Sequence, residues 1–389
     1  MDWVPFQRPR LPSAERVERY FALARKANWF SNDGPCVRLL CERLSDYVGG
    51  SLHCTAVSSG TLGLMVALRA AAETRPDRRE VIVPSFTYIA SVSAILWTGL
   101  VPVFADVAPD HWHLDPEELE TVLNEREGRV AAVLACSTFG CAPPRAVRAA
   151  WEEACSKVEV PLIVDSAAGF GSRDEQDRPL GGQGVAEVFS FHATKPLAVG
   201  EGGCIFAADQ SLSERIARQT KFGLDPQRTL IEEPGLNAKM SEIHAATALA
   251  ALDDFEAVLD ARAQRSAAIR KGMTAHGFAF QLGCETSAWQ FVPILAPNAT
   301  LRQDILDAAR SAHVQIRTYH EPLHEMAALD RFQRHGDLPV TRDLAGRMLS
   351  LPLANDLTED EIARIRAPLT QCIENSGRRL VGSRRAAIE

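Results

Sequence analysis

The chain lacks any apolar run approaching the roughly 20 residues that a membrane-spanning helix needs. Its first residues, Met1-Asp2-Trp3-Val4-Pro5-Phe6-Gln7-Arg8, contain no apolar stretch of the kind that directs secretion. It has no C-x-x-C pair, and the spacings Cys36/Cys41 and Cys136/Cys141 are too wide for a zinc knuckle. Nine cysteines are an odd number in a chain of 389 residues, too large to need disulfide staples. Reduced thiols used as small apolar fillers, a cytoplasmic location and no metal site are therefore expected. Cations are short of anions, 42 Lys and Arg against 50 Asp and Glu, for a net charge of -8. That balance argues against nucleic acid as a partner, because phosphate recognition needs a concentrated basic face. A G-x-G-x-x-G after an early strand, the nicotinamide dinucleotide fingerprint, is absent. So are internal repeats and low-complexity tracts.

What is present is an alternation. After two amphipathic helical stretches, separated by the breaker Ser31-Asn32-Asp33-Gly34-Pro35, short β-rich runs fall at 54–58, 81–84, 101–105, 130–136 and 161–165. Helical patterns at 62–72, 89–97, 116–124 and 146–155 separate them, and further strands are expected at 188–192 and 204–207. Strands and helices in that rhythm predict an α/β fold: a mostly parallel sheet of about seven strands between helices. Beyond about residue 240 the pattern changes. One long helix is expected over 241–270, then strands at 278–282 and 291–296 and helices at 302–312 and 359–373. This reads as a large domain over residues 1–250 and a smaller α+β domain over 251–389.

Three features fall at expected carboxyl ends of strands, where open α/β sheets bind ligands. Ser58-Ser59-Gly60-Thr61 opens a helix. The free N–H groups and positive dipole end of that helix form a phosphate seat, and glycine lets a ligand approach the backbone. The same residues fit a plain capped helix start. Asp165 ends the apolar run Pro161-Leu162-Ile163-Val164, so its carboxylate needs a partner. That partner is either a structural cation or a protonated pyridine nitrogen. Phe189-Ser190-Phe191-His192-Ala193-Thr194-Lys195, followed by Gly202-Gly203, places an amine among apolar residues. Burial lowers an amine's pKa and makes it able to form an imine, whereas a surface lysine has no such role. Ser190 is a further phosphate donor, and Tyr88 is an aromatic plate for a ring to stack on or an ordinary core residue. Together these are the parts of a pyridoxal phosphate site.

The segments Trp29-Phe30-Ser31-Asn32-Asp33-Gly34-Pro35, Ser59-Gly60-Thr61, Pro84-Ser85-Phe86-Thr87, Asp165-Ser166-Ala167 and Phe189 to Lys195 occur in one order along the chain. Gly200-Glu201-Gly202-Gly203, Gly235-Leu236-Asn237-Ala238-Lys239-Met240-Ser241-Glu242 and Pro322-Leu323-His324 complete the set. In them the chain resembles the DegT–DnrJ–StrS family of sugar aminotransferases, which have the type I fold of pyridoxal phosphate enzymes. The resemblance implies that Lys195 forms the imine with the cofactor and transfers the proton. It implies that Asp165 meets the ring nitrogen and that Gly60, Thr61 and Ser190 hold the phosphate. Asn237 would reach the phosphate from a neighbouring subunit of a homodimer. His324, the Arg317-Thr318-Tyr319-His320 segment with Tyr319 foremost, and Lys239 would belong to the substrate pocket.

The implied reaction moves an amino group, with glutamate as donor, to a keto sugar carried on a nucleotide diphosphate, a 4-keto-6-deoxy sugar being preferred. Keto sugars without a nucleotide and keto-cyclitols are alternative acceptors. Two departures stand out. Members of the family usually carry His or Gln three residues after the aspartate, where this chain has Ala168, and the Asn-x-Arg of many members is here Asn237-Ala238-Lys239, which loses a bidentate fork. The family's dehydratases replace the lysine, so Lys195 speaks against that chemistry. A non-catalytic regulator on the same fold would be marked by loss of Lys195 or Asp165.

Overall fold

The computed structural model describes residues 2–73, 75–225, 227–230 and 234–386, with side chains to residue 375. Two helices, α1 (Ala14–Ala27) and α2 (Pro35–Tyr47), precede the first strand, β1 (His53–Val57). The alternation then runs α3 (Gly60–Ala72), β2 (Glu80–Pro84), α4 (Ile89–Trp97), β3 (Val101–Ala105), α5 (Pro116–Glu125), β4 (Val130–Cys136), α6 (Arg145–Lys157) and β5 (Leu162–Asp165). Next come β6 (Ala186–Ser190), β7 (Gly203–Ala207) and α7 (Gln210–Gln219). The remainder comprises α8 (Glu242–Leu252), α9 (Phe255–Arg270), β8 (Val292–Leu295), α10 (Ala299–Ser311), β9 (Gln333–Arg334), α11 (Pro339–Arg347), β10 (Met348–Leu351) and α12 (Glu359–Ala386).

The main sheet has the order β1-β7-β6-β5-β4-β2-β3-β9, the expected seven strands plus the two-residue β9 at one edge. From β6 to β9 all neighbours are parallel, and β7 runs against both β6 and β1. Every residue of β4 and β5 is buried, as continuous apolar runs in a sheet covered on both faces require. This topology brings the carboxyl ends of β1, β2, β4, β5 and β6 to one edge. There Val57 and Ser190 both pair with Gly203, and Asp165 lies between Cys136 and Val188.

The C-terminal part departs from the expected elements in two places. The long helix expected over 241–270 is two helices, α8 and α9, interrupted at Asp253 and Asp254. Tyr20 and Arg43 both hydrogen-bond Asp253, and Arg16 pairs with Asp254, so cationic and hydroxyl groups of α1 and α2 hold the two carboxylates at the break. The strand expected over 278–282 is a single bridge, Ala279 to Leu295, because Leu282 N–H instead donates to the Asp110 carbonyl at 3.1 Å. The partner of β8 is β10. A second apolar core gathers Ile269, Ile294, Ile305, Leu349 and Ile365, with Val4 of the N-terminal arm packed into it. Among the described residues no helix is long and apolar enough to cross a membrane.

Candidate active site

The shared sheet edge opens into a cavity of about 410 Å³. Seven of the residues singled out in the sequence line it: Gly60, Thr61, Tyr88, Asp165, Ser190, Lys195 and Tyr319. Its floor is built by close backbone approach. Ser59 caps α3, its hydroxyl accepting from Leu62 N–H at 3.2 Å, so the first N–H groups of the helix face the cavity without helical partners. Gly60 packs on β6: a Cβ there would stand 2.8 Å from that of Ser190. A Cβ on Gly203 would meet the Phe189 carbonyl at 2.4 Å, so both positions need glycine for α3 to sit this low over the sheet. A small anion fits this cradle, bounded by free helical N–H groups and the Ser190 hydroxyl.

Asp165 is buried, its Oδ2 accepting from the Ser91 hydroxyl at 2.7 Å and its Oδ1 from Ala167 N–H at 3.1 Å. Burial raises its pKa, while the Ser91 and Ala167 bonds and the nearby Lys195 charge work the other way. No ion pair within 4 Å engages it among the described residues. Its carboxylate is thus available to a cationic ring nitrogen. Lys195 stands on the loop after β6, where its Nζ donates to Gln290 Oε1 at 3.0 Å. Burial pushes its amine down to about 8, with Asp165 and Cys136 opposing that shift. A buried amine of that basicity is a usable nucleophile and base near neutral pH. This donor set (helical N–H groups, a hydroxyl, a carboxylate and an amine) fits pyridoxal phosphate.

Three other candidates lie outside the cavity lining. Asn237 is exposed, its Oδ1 accepting from Lys239 Nζ at 2.5 Å, and Lys239 stacks over Phe222 at 4.7 Å. His324 is buried, with Ser85 Oγ 2.7 Å from its Nδ1 and the same oxygen accepting its backbone N–H. Three residues that do belong to the site escaped the sequence reading. Ser91 lies in the first turn of α4, its hydroxyl 3.3 Å from that of Thr87. Gln290 is a polar residue in the apolar run Trp289-Gln290-Phe291, and Cys136 ends β4 beside Asp165. His320, from the segment expected in the substrate pocket, lines the cavity stacked on Phe139, with centroids 4.8 Å apart. Burial and then the Lys195 charge hold His320 down to about 3, so it is neutral at ordinary pH.

Residues 13–370 match the model of the DegT/DnrJ/EryC1/StrS aminotransferase family. The chain belongs to this family. It is a sugar aminotransferase that uses pyridoxal phosphate, as the resemblance implied. Protein Rv3402c of Mycobacterium tuberculosis H37Rv is 33% identical over 372 residues, covering 95% of this chain and 90% of the relative. The UDP-2-acetamido-2-deoxy-3-oxo-D-glucuronate aminotransferase of Pseudomonas aeruginosa is 30% identical, covering 87% and 90%. Among solved structures, DesI in the presence of its TDP-sugar product superposes with a TM-score of 0.86 at 32% identity, covering 99% of this chain and 96% of that one. The family places the fold and the cofactor, and Ala168 lines the cavity.

Proposed function

We propose that this sugar aminotransferase takes its amino group from glutamate and gives it to a keto sugar carried on a nucleotide diphosphate, with a 4-keto-6-deoxy sugar as the preferred acceptor. The observation that carries the site assignment is the Lys195 amine, enclosed in the same cavity as a buried carboxylate that forms no ion pair within 4 Å among the described residues. Bound pyridoxal phosphate supplies the electron sink that makes the carbon–hydrogen bond beside the transferred nitrogen acidic. Lys195 holds the cofactor through its amine and, once displaced, is the base that moves the proton. Asp165 keeps the ring nitrogen protonated. Gly60, Thr61 and Ser190 bind the phosphate, and Tyr88, 57% exposed at the cavity mouth, is placed for stacking on the ring. Tyr319, Lys239 and His324 are assigned to substrate binding, the last through the segment that it anchors on Ser85.

We assign the active unit as a homodimer in which Asn237 serves the neighbouring subunit. Its position outside its own cavity supports this. So does the apolar surface beside it, where Trp29, Phe30, Phe222 and Ile243 are each at least 42% exposed. Contacts between Lys221 and Asp33, and between Glu242 N–H and the Phe30 carbonyl, join these segments into one face. The division into units at residues 1–250 and 251–389 is likewise our reading, supported by the separate apolar core of the C-terminal part.

The test is a mass-spectrometric screen of keto-sugar nucleotides, free keto sugars and keto-cyclitols with glutamate as donor. Aminated nucleotide sugar is the expected product. Amination of only the acceptors that lack a nucleotide would overturn the assignment. Lys195→Ala is expected to abolish turnover and the visible absorption band, and normal turnover by that variant without added amine would refute the role of Lys195.

A further inference from the structure

The bond between Lys195 and Gln290 has a use that follows from what holds it in place. Gln290 is nearly buried, and its amide is oriented at both ends: Oε1 accepts from Lys195 Nζ at 3.0 Å and Nε2 donates to Thr194 Oγ1 at 3.2 Å. Its main chain is fixed as firmly. The buried guanidinium of Arg262 on α9 donates to the Trp289 carbonyl at 2.6 Å, the Gln290 carbonyl at 2.7 Å and Asn355 Oδ1 at 2.7 Å. All three acceptors are neutral, and among the described residues no carboxylate pairs with Arg262. A buried cation without a counter-ion is costly, and its pKa is lowered to about 10 by burial alone. Such a cost is tolerated where the fork of donors is needed, and here the fork grips the two peptide carbonyls that flank the Gln290 amide.

We propose that Gln290 is a catalytic residue whose Oε1 receives the Lys195 amine each time that amine is displaced, and that Arg262 is the positioning residue that keeps Gln290 in reach. This rests on the reading of Lys195 as the cofactor-holding amine. The bond can form fully only while the amine is free, so it favours the displaced state over the cofactor-bound one. An interaction confined to one of two states shifts the balance between them. It is strongest when the amine is protonated, because a bond to a charged donor is about twice as strong as a neutral one. Gln290 therefore also sets the basicity of the amine. An apolar side chain in its place leaves the ammonium without an acceptor, and a carboxylate gives it a counter-ion.

The experiment compares Gln290→Leu and Gln290→Glu, both close to the original in size, in the full-length chain stripped of cofactor. Trace acetylation of Lys195 by acetic anhydride, read by mass spectrometry across pH, reports the fraction of neutral amine. In Gln290→Leu the half-labelling pH falls by about one pH unit, and in Gln290→Glu it rises by at least about as much. Pyridoxal phosphate binds Gln290→Leu several-fold more tightly and Gln290→Glu more weakly at fixed neutral pH. Arg262→Lys keeps a cation without the fork and moves the labelling profile in the same direction as Gln290→Leu. Labelling profiles that stay at the wild-type pH, or move the same way in both Gln290 variants, overturn the proposal; an unchanged profile in Arg262→Lys overturns its positioning role. A Lys195→Ala variant that still turns over defeats the underlying reading instead. An inactive Lys195→Ala with unmoved Gln290 profiles defeats only this inference.

Discussion

A lysine whose amine is held down to about 8 in the folded chain and stands near 10.5 when exposed makes stability depend on pH with a definite sign. Between those two values the unfolded chain binds the extra proton, so stability contributed by this group rises as pH rises through that window. Below about 8 both states are protonated and the burial penalty is present in full, roughly 3 kcal/mol for such a shift. Lys195→Met is therefore expected to stabilise the cofactor-free protein at pH 7 by up to about 3 kcal/mol. The gain should fade above about pH 10, and urea unfolding at the two pH values measures it. A loss of stability at pH 7 would mean that the amine is better solvated than its burial implies. The same basicity sets the activity limb: where the free amine acts as base, the rate should climb as pH rises through about 8.

At the scale of elements, the chain's local patterns carried most of the large sheet. Continuous apolar runs made β4 and β5 legible, and the capped start at Ser59 placed α3 where it is. What local pattern could not carry was any bond between distant segments. The breaker Ser31-Asn32-Asp33-Gly34-Pro35 signalled the start of α2, but its cap is Glu242, 206 residues from Cys36. That fully buried carboxylate accepts from Cys36 N–H at 2.6 Å and from Val37 N–H at 3.3 Å. A Cβ on Gly34 would fall 2.6 Å from it, which is why glycine precedes the proline. Glu242→Ala should cost about 2–3 kcal/mol, since it orphans two buried donors at once. An unchanged urea midpoint would show that water replaces the carboxylate. The site followed the same division. Lys195, Asp165, Gly60 and Ser190 announce themselves by type at strand ends, whereas Gln290 comes from a segment whose approach only the tertiary fold determines. The single helix expected over 241–270 failed for a related reason, since contacts from α1 and α2 decide how Asp253 and Asp254 are used.

At the scale of the whole molecule, a shared active site has a signature that no single-chain variant can mimic. Lys195→Ala and Asn237→Ala are each expected to be impaired as pure dimers. In a mixed dimer, one of the two sites takes its lysine from one chain and its asparagine from the other, and is intact. After subunit exchange an equal mixture should recover about a quarter of wild-type activity, since half of the dimers are mixed and each has one good site. No recovery would place Asn237 in service of its own chain.

The short strand β9 has a further mechanical meaning. It adds a piece of the C-terminal half to the outer edge of the main sheet, through Gln333 and Arg334 beside β3. Close by in sequence, Leu323 N–H donates to the Ser85 carbonyl at 3.1 Å, just past the end of β2. These bonds work as rivets on one side of the cavity. A jaw that swings shut on its substrate must break them, whereas a fixed frame keeps them and admits ligand through a standing mouth. A frame of this kind predicts a radius of gyration in solution that stays the same with and without the proposed nucleotide-sugar substrate, and a selectivity set by the shape of a standing opening.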